Sequence, residues 1–276
     1  MLTKQLIKDC LTGVSVEAAS PATSFPPDFN KGSGFLQPVQ QKQFHSLVAK
    51  LRYLAENVRP DLNLVAAVLS TRVIKPTFDD QAKLQRALEY LSKSNLLVLK
   101  IDKSPFDCVH AYIDASHGSH SDTISHSGMV LTLGNTPVMF KSKKQHIITR
   151  SSTTAELVAL TDMSQYALNL SEFLVEQGLC CVSPILLQDN QSVLKIVASN
   201  GKTLPNKHMR IRQADMKEIV KRNEATLQYV PTKLMIADIL TKPLQGELFR
   251  ALTSKVLGGG ALDVTFQDNG KSGRNS

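Results

Sequence analysis

Residues 108–141 read CVHAYIDASHGSHSDTISHSGMVLTLGNTPVMFK. The apolar run Cys108–Ile113 predicts a strand, and Gly128–Leu133 and Pro137–Lys141 predict two more. Gly134-Asn135-Thr136, between the second and third runs, marks a hairpin turn. Asp114 closes the first run. Further on, a helical pattern covers 154–177 and stops before Gly178, with Glu156 near its start. A short strand at 185–188 is followed by Asp189, a helix near 190–198 and another over 208–222. The alternating stretch Thr226–Val230 is broken by Pro231, and a last helical stretch, Leu234–Leu240, carries Asp238. The order βββαβαβα, with room for an additional helical turn after 190, predicts an α/β fold: a mixed five-stranded sheet flanked by helices.

Working towards the N-terminus, Phe44, Leu47, Val48, Leu51 and Leu54 recur at helical spacing, as do Leu84, Ala87, Leu88 and Leu91. Pro60-Asp61 opens a third segment, Leu62 to Leu69, between them. A short helix over Leu2–Leu11 and a connector through Pro21, Pro26-Pro27 and Gly32-Ser33-Gly34 come first. The expected division is a helical unit over 1–104, a sheet domain over 105–262, and a polar, Gly-rich disordered tail over 263–276.

The chain has 276 residues, enough for one large domain or two smaller ones. Its start has no long apolar core of a signal peptide, and no apolar run approaches the roughly 18 residues needed to span a bilayer. An intracellular protein with no membrane partner is expected. Cys10, Cys108, Cys180 and Cys181 have no metal-site spacing and are expected to be reduced thiols. Lys and Arg number 32 against 24 Asp and Glu, a net charge of +8. The excess clusters at Lys141, Lys143, Lys144 and Arg150, and again between Lys202 and Arg222. Such patches suit a polyanion, although basic faces are as often simply solvated.

Asp114, Glu156, Asp189 and Asp238 fall at strand ends and facing helical turns, where carboxylates can converge on divalent cations. Each has an ordinary alternative. Asp114 suits a turn, Glu156 completes a capping-box pattern with Thr153, Asp189 suits an N-cap, and Asp238 suits a helix surface. His117, His120 and His126 crowd the segment between the first two strands without zinc spacing, so a solvated loop is expected. Phe78-Asp79-Asp80 follows Pro76-Thr77 and reads as a helix start.

Taken together, several motifs resemble copia-type retrotransposon ribonuclease H domains. They are Tyr112-Ile-Asp114-Ala-Ser116, Ser142-Lys-Lys-Gln145, Arg150-Ser-Ser-Thr-Thr-Ala-Glu156-Leu157, Gln188-Asp189-Asn190-Gln191-Ser192, Lys207-His208, Tyr229-Val-Pro-Thr232, and Ile236-Ala-Asp238-Ile-Leu-Thr-Lys-Pro-Leu244-Gln-Gly246. They occur in family order over about 105–258. Phe44–Leu54, Arg59-Pro60-Asp61, Lys75-Pro-Thr77 and Arg86–Leu91 resemble the segment that follows the reverse-transcriptase palm in the same polyprotein.

The resemblance implies a ribonuclease H-like fold that hydrolyses the RNA strand of an RNA–DNA hybrid. Asp114, Glu156, Asp189 and Asp238 would hold two Mg²⁺ ions, with Mn²⁺ an alternative. It implies hybrid contacts from Lys141, Lys143, Lys144, Ser152, Thr153, Asn190, Gln191 and His208, and partnership with upstream reverse-transcriptase segments. The setting implied is the cytoplasm, in virus-like particles, or the nucleus. The competing reading is a decayed or domesticated remnant that binds nucleic acid without cutting it. Two departures stand out. The segment Thr232–Ile236 lacks the histidine that many cellular ribonucleases H place before the last acid, and Met209–Asp215 lacks the family's aromatics.

Overall fold

The computed structural model describes residues 18–23, 33–102, 108–179, 183–199, 204 and 206–259. The expected helix at Leu2–Leu11, three of the four cysteines and the expected tail lie outside these residues. Helices α1 (Pro38–Asn57), α2 (Asn63–Ser70) and α3 (Phe78–Lys93) precede the sheet. Strands β1 (Val109–Ser116), β2 (His126–Leu133) and β3 (Thr136–Lys144) follow, then α4 (Ser152–Glu176) and β4 (Ile185–Gln188). Helices α5 (Gln191–Ala198) and α6 (Lys207–Lys221) lead to β5 (Thr226–Tyr229). A 3-10 helix at Ile236–Leu240 and helix α7 (Gly246–Val256) close the described chain.

The five strands lie in the order β3-β2-β1-β4-β5. β1–β2 and β2–β3 are antiparallel, while β4 and β5 continue parallel to β1. That topology, with helices on both faces, is ribonuclease H-like, as expected. Two helices join β4 to β5, where helices near 190–198 and over 208–222 were expected. Asp238 sits in a 3-10 helix rather than an α-helix, because the segment is short and bounded by Pro231 and Pro243.

Local chemistry accounts for the boundaries. Gly134 has φ +53 at the first central position of the two-residue β2–β3 turn, as a type II′ hairpin requires. Pro137 is tolerated because β3 is an edge strand. The Thr77 hydroxyl accepts from the Asp80 N–H, and the Asp80 carboxylate accepts from the Thr77 N–H, so Asp80 completes a capping box. Helix α4 starts at Ser152, two residues earlier than expected. Its box is formed by Ser151 and Thr154, not by Thr153 and Glu156. Asn190, not Asp189, caps α5 through the Ser192 N–H at 3.0 Å.

Alternation along β1 divides the core. Ala111 and Ile113 face α4 with Leu157, Leu160 and Met163. Tyr112 faces the opposite layer, where Val130, Phe140 and Leu187 pack in one cluster with Phe44, Leu51, Leu62 and Leu88 of the helical unit. The unit therefore covers one face of the sheet. A buried Arg59–Asp61 pair, joined by the Tyr90 hydroxyl at 2.7 Å, braces it.

Leu51 is fully buried in this shared cluster. Leu51→Ala is expected to cost about 2–5 kcal/mol. By native-state hydrogen exchange, amides of α1 and β1 should lose the same stability. A loss confined to α1–α3 would show that the helical unit folds apart from the sheet.

Candidate active site

The four acids are delivered from four elements. Asp114 lies near the end of β1, Glu156 in the first turns of α4, Asp189 just after β4, and Asp238 in the 3-10 helix. Asp114, Asp189 and Asp238 bring one carboxylate oxygen each within 4.8 Å of one another. Glu156 is outside that trio, but its carboxyl feels both Asp114 and Asp189. Asp114, Glu156 and Asp238 are buried, and Asp189 is half-buried.

The strand register explains the approach of the 3-10 helix. Asp114 pairs across the ladder with Gly128. A Cβ at Gly128 would stand 2.6 Å from Thr241 Cγ2 and 2.9 Å from Leu240 Cβ. With only hydrogen there, the 3-10 helix lies directly on β2 and brings Asp238 beside Asp114.

Each carboxylate has a polar partner. Thr241 Oγ1 donates to Asp114 Oδ2. Thr232 Oγ1 donates to Asp189 Oδ2 at 2.8 Å, and Gln188 Nε2 donates to Glu156 Oε2 at 3.3 Å. Lys242 Nζ lies 2.7 Å from Asp238 Oδ1 and 3.3 Å from Asp114 Oδ1. Of these, Lys242 lies at the site although it was not among the expected residues. Its signal was present, because it follows Asp238 by four residues.

Burial first, and then mutual repulsion, dominate the electrostatics. Burial raises the Asp238 pKa to about 7, with Asp114 adding to the rise and Lys242 opposing it. Burial likewise raises Glu156 well above its ordinary value, reinforced by Asp114 and Asp189. Asp114 is also raised by burial, against Lys242 and Thr241. Burial disfavours the Lys242 ammonium, but Asp114 and Asp238 together outweigh it and raise its pKa. A buried, all-oxygen donor set under mutual repulsion suits a hard divalent cation, so the residues fit a metal centre.

The remaining expected contacts are more dispersed. Period-two alternation puts Lys141 and Lys143 on one face of β3 and Lys144 on the other. Lys141 Nζ sits 5.4 Å from the centre of the Tyr166 ring, and Lys144 pairs with Asp122. Ser152 is exposed and Thr153 half-buried at the start of α4. Asn190 has its amide oxygen engaged as a cap, while Gln191 is exposed beside it. His208 is exposed at the start of α6.

The expected solvated loop holds for His117 and for Ser121–Thr123, which are exposed, but not for the other two histidines. His120 and His126 are buried, with His120 Nε2 2.9 Å from His126 Nδ1. His126 Nε2 contacts Ser142 Oγ at 2.8 Å, and that hydroxyl donates to the Leu240 carbonyl at 2.7 Å. Serines and histidines pair with one another here, so His120 and His126 are buried without being orphaned. Burial lowers the pKa of His120 to about 4 and that of His126 well below its ordinary value.

No family model matches the chain. It is similar to the Retrovirus-related Pol polyproteins from transposons RE1 and RE2 of Arabidopsis thaliana, 28% and 29% identical over 92% and 90% of its length. The Ty1-DR5 Gag-Pol polyprotein of Saccharomyces cerevisiae is 25% identical over 77%. Its homologues are thus Pol polyproteins of LTR retrotransposons. The chain spans 18%, 17% and 12% of those relatives' own lengths. A solved RNase H1 isolated from compost superposes at TM-score 0.39, with 15% identity over 49% of this chain and 92% of that one. The fold rests on the strand order rather than on that superposition. Among the described residues, no helix is long and apolar enough to cross a membrane.

The raised Asp238 pKa fixes the sign of one pH effect. The folded, metal-free chain holds this proton more tightly than the unfolded chain, whose value is 3.8. The stability gained by proton uptake is fully present below about pH 4 and is lost as pH rises through about 7. His120 acts oppositely: its contribution is present above 6.5 and lost as pH falls towards about 4. The histidine slope cancels when a site variant is compared with its parent. In urea unfolding with EDTA, Asp238→Asn should be more stable than the parent at pH 8, with the gain shrinking at pH 5. A gain independent of pH would show that Asp238 is not strained by its charge.

Proposed function

We propose that this chain carries a retrotransposon ribonuclease H, which hydrolyses the RNA strand of RNA–DNA hybrids with divalent metal ions. The observation that carries this reading is the convergence of Asp114, Asp189 and Asp238 within 4.8 Å on a ribonuclease H-like sheet. Homology to LTR-retrotransposon Pol polyproteins supports the biological setting. In the same reading, the helical unit before residue 105 is the C-terminal segment of a reverse transcriptase, and upstream segments of the polyprotein are partners.

Asp114, Asp189 and Asp238, with Glu156 beside them, would hold two Mg²⁺ ions, or Mn²⁺ in their place. When bound, such ions supply Lewis-acid activation of the attacking water and stabilise charge on the 3′ leaving oxygen. The chain itself supplies orientation. Thr241 and Thr232 hold one oxygen each of Asp114 and Asp189, and Gln188 holds Glu156. Such fixed partners keep the acids aimed at one point between turnovers.

Discrimination for RNA requires contact with 2′-hydroxyls in the wide minor groove. Ser152, Thr153, Asn190 and Gln191 flank Glu156 and Asp189 in sequence and are the candidates for it. Phosphate contacts are assigned to Lys141, Lys143, Lys144 and His208. A cavity of about 600 Å³ between the 148–154 segment and the start of α6 is lined by Arg150, Ser151, Asn206 and Lys207. Its two cations and two helix N-termini suit backbone phosphates.

The decisive assay is cleavage of a labelled hybrid by the full chain in Mg²⁺, with EDTA as control. Asp189→Asn should lower kcat on the order of a hundredfold or more, since a missing ligand removes several kcal/mol of transition-state stabilisation. Undiminished cleavage by this variant would sink the site assignment, and binding without any cleavage would favour the inactive remnant.

Hybrid affinity should also fall steeply with salt. Replacing Lys141, Lys143 and Lys144 with Ala should reduce the slope of log K against log salt by about 0.9 for each phosphate that is no longer neutralised. An unchanged slope would place the duplex away from β3.

A further inference from the structure

We propose that Lys242 is a tethered counter-cation of the carboxylate cluster, which a divalent ion must displace, so that this residue sets the metal affinity of the site. The inference rests on the reading of Asp114, Asp189 and Asp238 as a metal centre and adds a residue that governs its loading.

The contacts divide the oxygens of Asp114. Oδ2 is held by the Thr241 hydroxyl, whereas Oδ1 faces the Lys242 ammonium at 3.3 Å. The same ammonium is 2.7 Å from Asp238 Oδ1. It thus bridges two of the three carboxylates that converge. An ammonium carries only donors, so it cannot serve as a ligand. Beside a divalent ion on the same oxygens it would add like-charge repulsion. The two cations are therefore alternatives at these oxygen atoms.

The backbone around Lys242 is fixed while the side chain has an exit. The Lys242 N–H donates to the Asp238 carbonyl at 2.8 Å, and its own carbonyl accepts from the Leu244 N–H at 2.9 Å. Pro243 restricts the next φ angle. The Lys242 side chain is 35% exposed, whereas those of Asp114 and Asp238 are 1% and 8% exposed. The ammonium can rotate towards solvent on its four-carbon stem without moving the 3-10 helix or either acid. In the metal-free chain it lessens the repulsion among the acids, and it is released when a stronger cation arrives.

The apparent affinity of a ligand falls by the fraction of time that its site is competent. An ammonium seated for about nine-tenths of the time would weaken divalent binding about tenfold. The test is calorimetric titration of the full chain with Mn²⁺, alongside thermal melts with and without Mn²⁺. Lys242→Met should bind Mn²⁺ about tenfold more tightly, melt lower when metal-free, and gain more from Mn²⁺ than the parent does. Lys242→Arg keeps the charge and should bind Mn²⁺ no more tightly than the parent. If Lys242→Met does not fold without metal, Lys242→Gln provides the same comparison. Unchanged or weaker Mn²⁺ binding by the neutral variant, in a parent that binds Mn²⁺ and loses it with Asp189→Asn, would overturn the role of Lys242 alone. A parent that binds no Mn²⁺, or binding indifferent to Asp189→Asn, would overturn the metal-centre reading and this proposal with it.

Discussion

Three carboxylates with an oxygen each inside 4.8 Å repel one another, and much of the surrounding architecture serves to hold them there. They come from a central strand, the end of its parallel neighbour, and a 3-10 helix on the adjacent strand. No local preference would bring those segments together. The sheet order does, because β4 runs parallel to β1 and ends beside Asp114. The missing side chain of Gly128 does the rest, since any Cβ there would push the 3-10 helix off β2.

Burial sharpens the repulsion and also limits how it can be relieved. Burial raises the pKa of Asp238 to about 7 and that of Glu156 well above its ordinary value, and the neighbouring Asp114 reinforces both shifts. Hydroxyl and amide donors orient the acids but do not neutralise them. Lys242 contributes the positive charge among their partners. A cluster of this kind is at odds with stability in the metal-free chain, and such local conflict is characteristic of functional sites.

The apolar framework makes the conflict tolerable. Helix α4 covers one face of the sheet, and the helical unit with α7 covers the other. The second layer shares its core with Tyr112, two residues from Asp114, so the helices before residue 105 stiffen the strand that carries a site acid. The buried His120–His126–Ser142 chain acts nearby. It ends on the carbonyl of Leu240, at the close of the 3-10 helix that bears Asp238.

How much was legible in the sequence follows from the range of each interaction. Short runs bounded by turn residues identified β1 to β4, alternation identified β5, and helical spacing identified α1, α3 and α4, because those patterns record how an element is buried. The four acids were legible as motifs in order. The capping roles were assigned to neighbouring residues: Ser151 and Asn190 act where Thr153 and Asp189 were equally eligible, and shifts of one or two residues in a polar run leave its composition unchanged. His120 and His126 were misread because their polarity is satisfied by partners up to 16 residues away and, through Ser142, by Leu240 at a separation of 98. Lys242 was visible as a residue but not as a partner of Asp114, 128 positions away. The sequence alone thus determined the elements, their order and the acids they carry, since these depend on local pattern. Only the tertiary structure decided which oxygens meet, which cation answers them and which polar groups are buried, because those depend on distances that arise when strands pair.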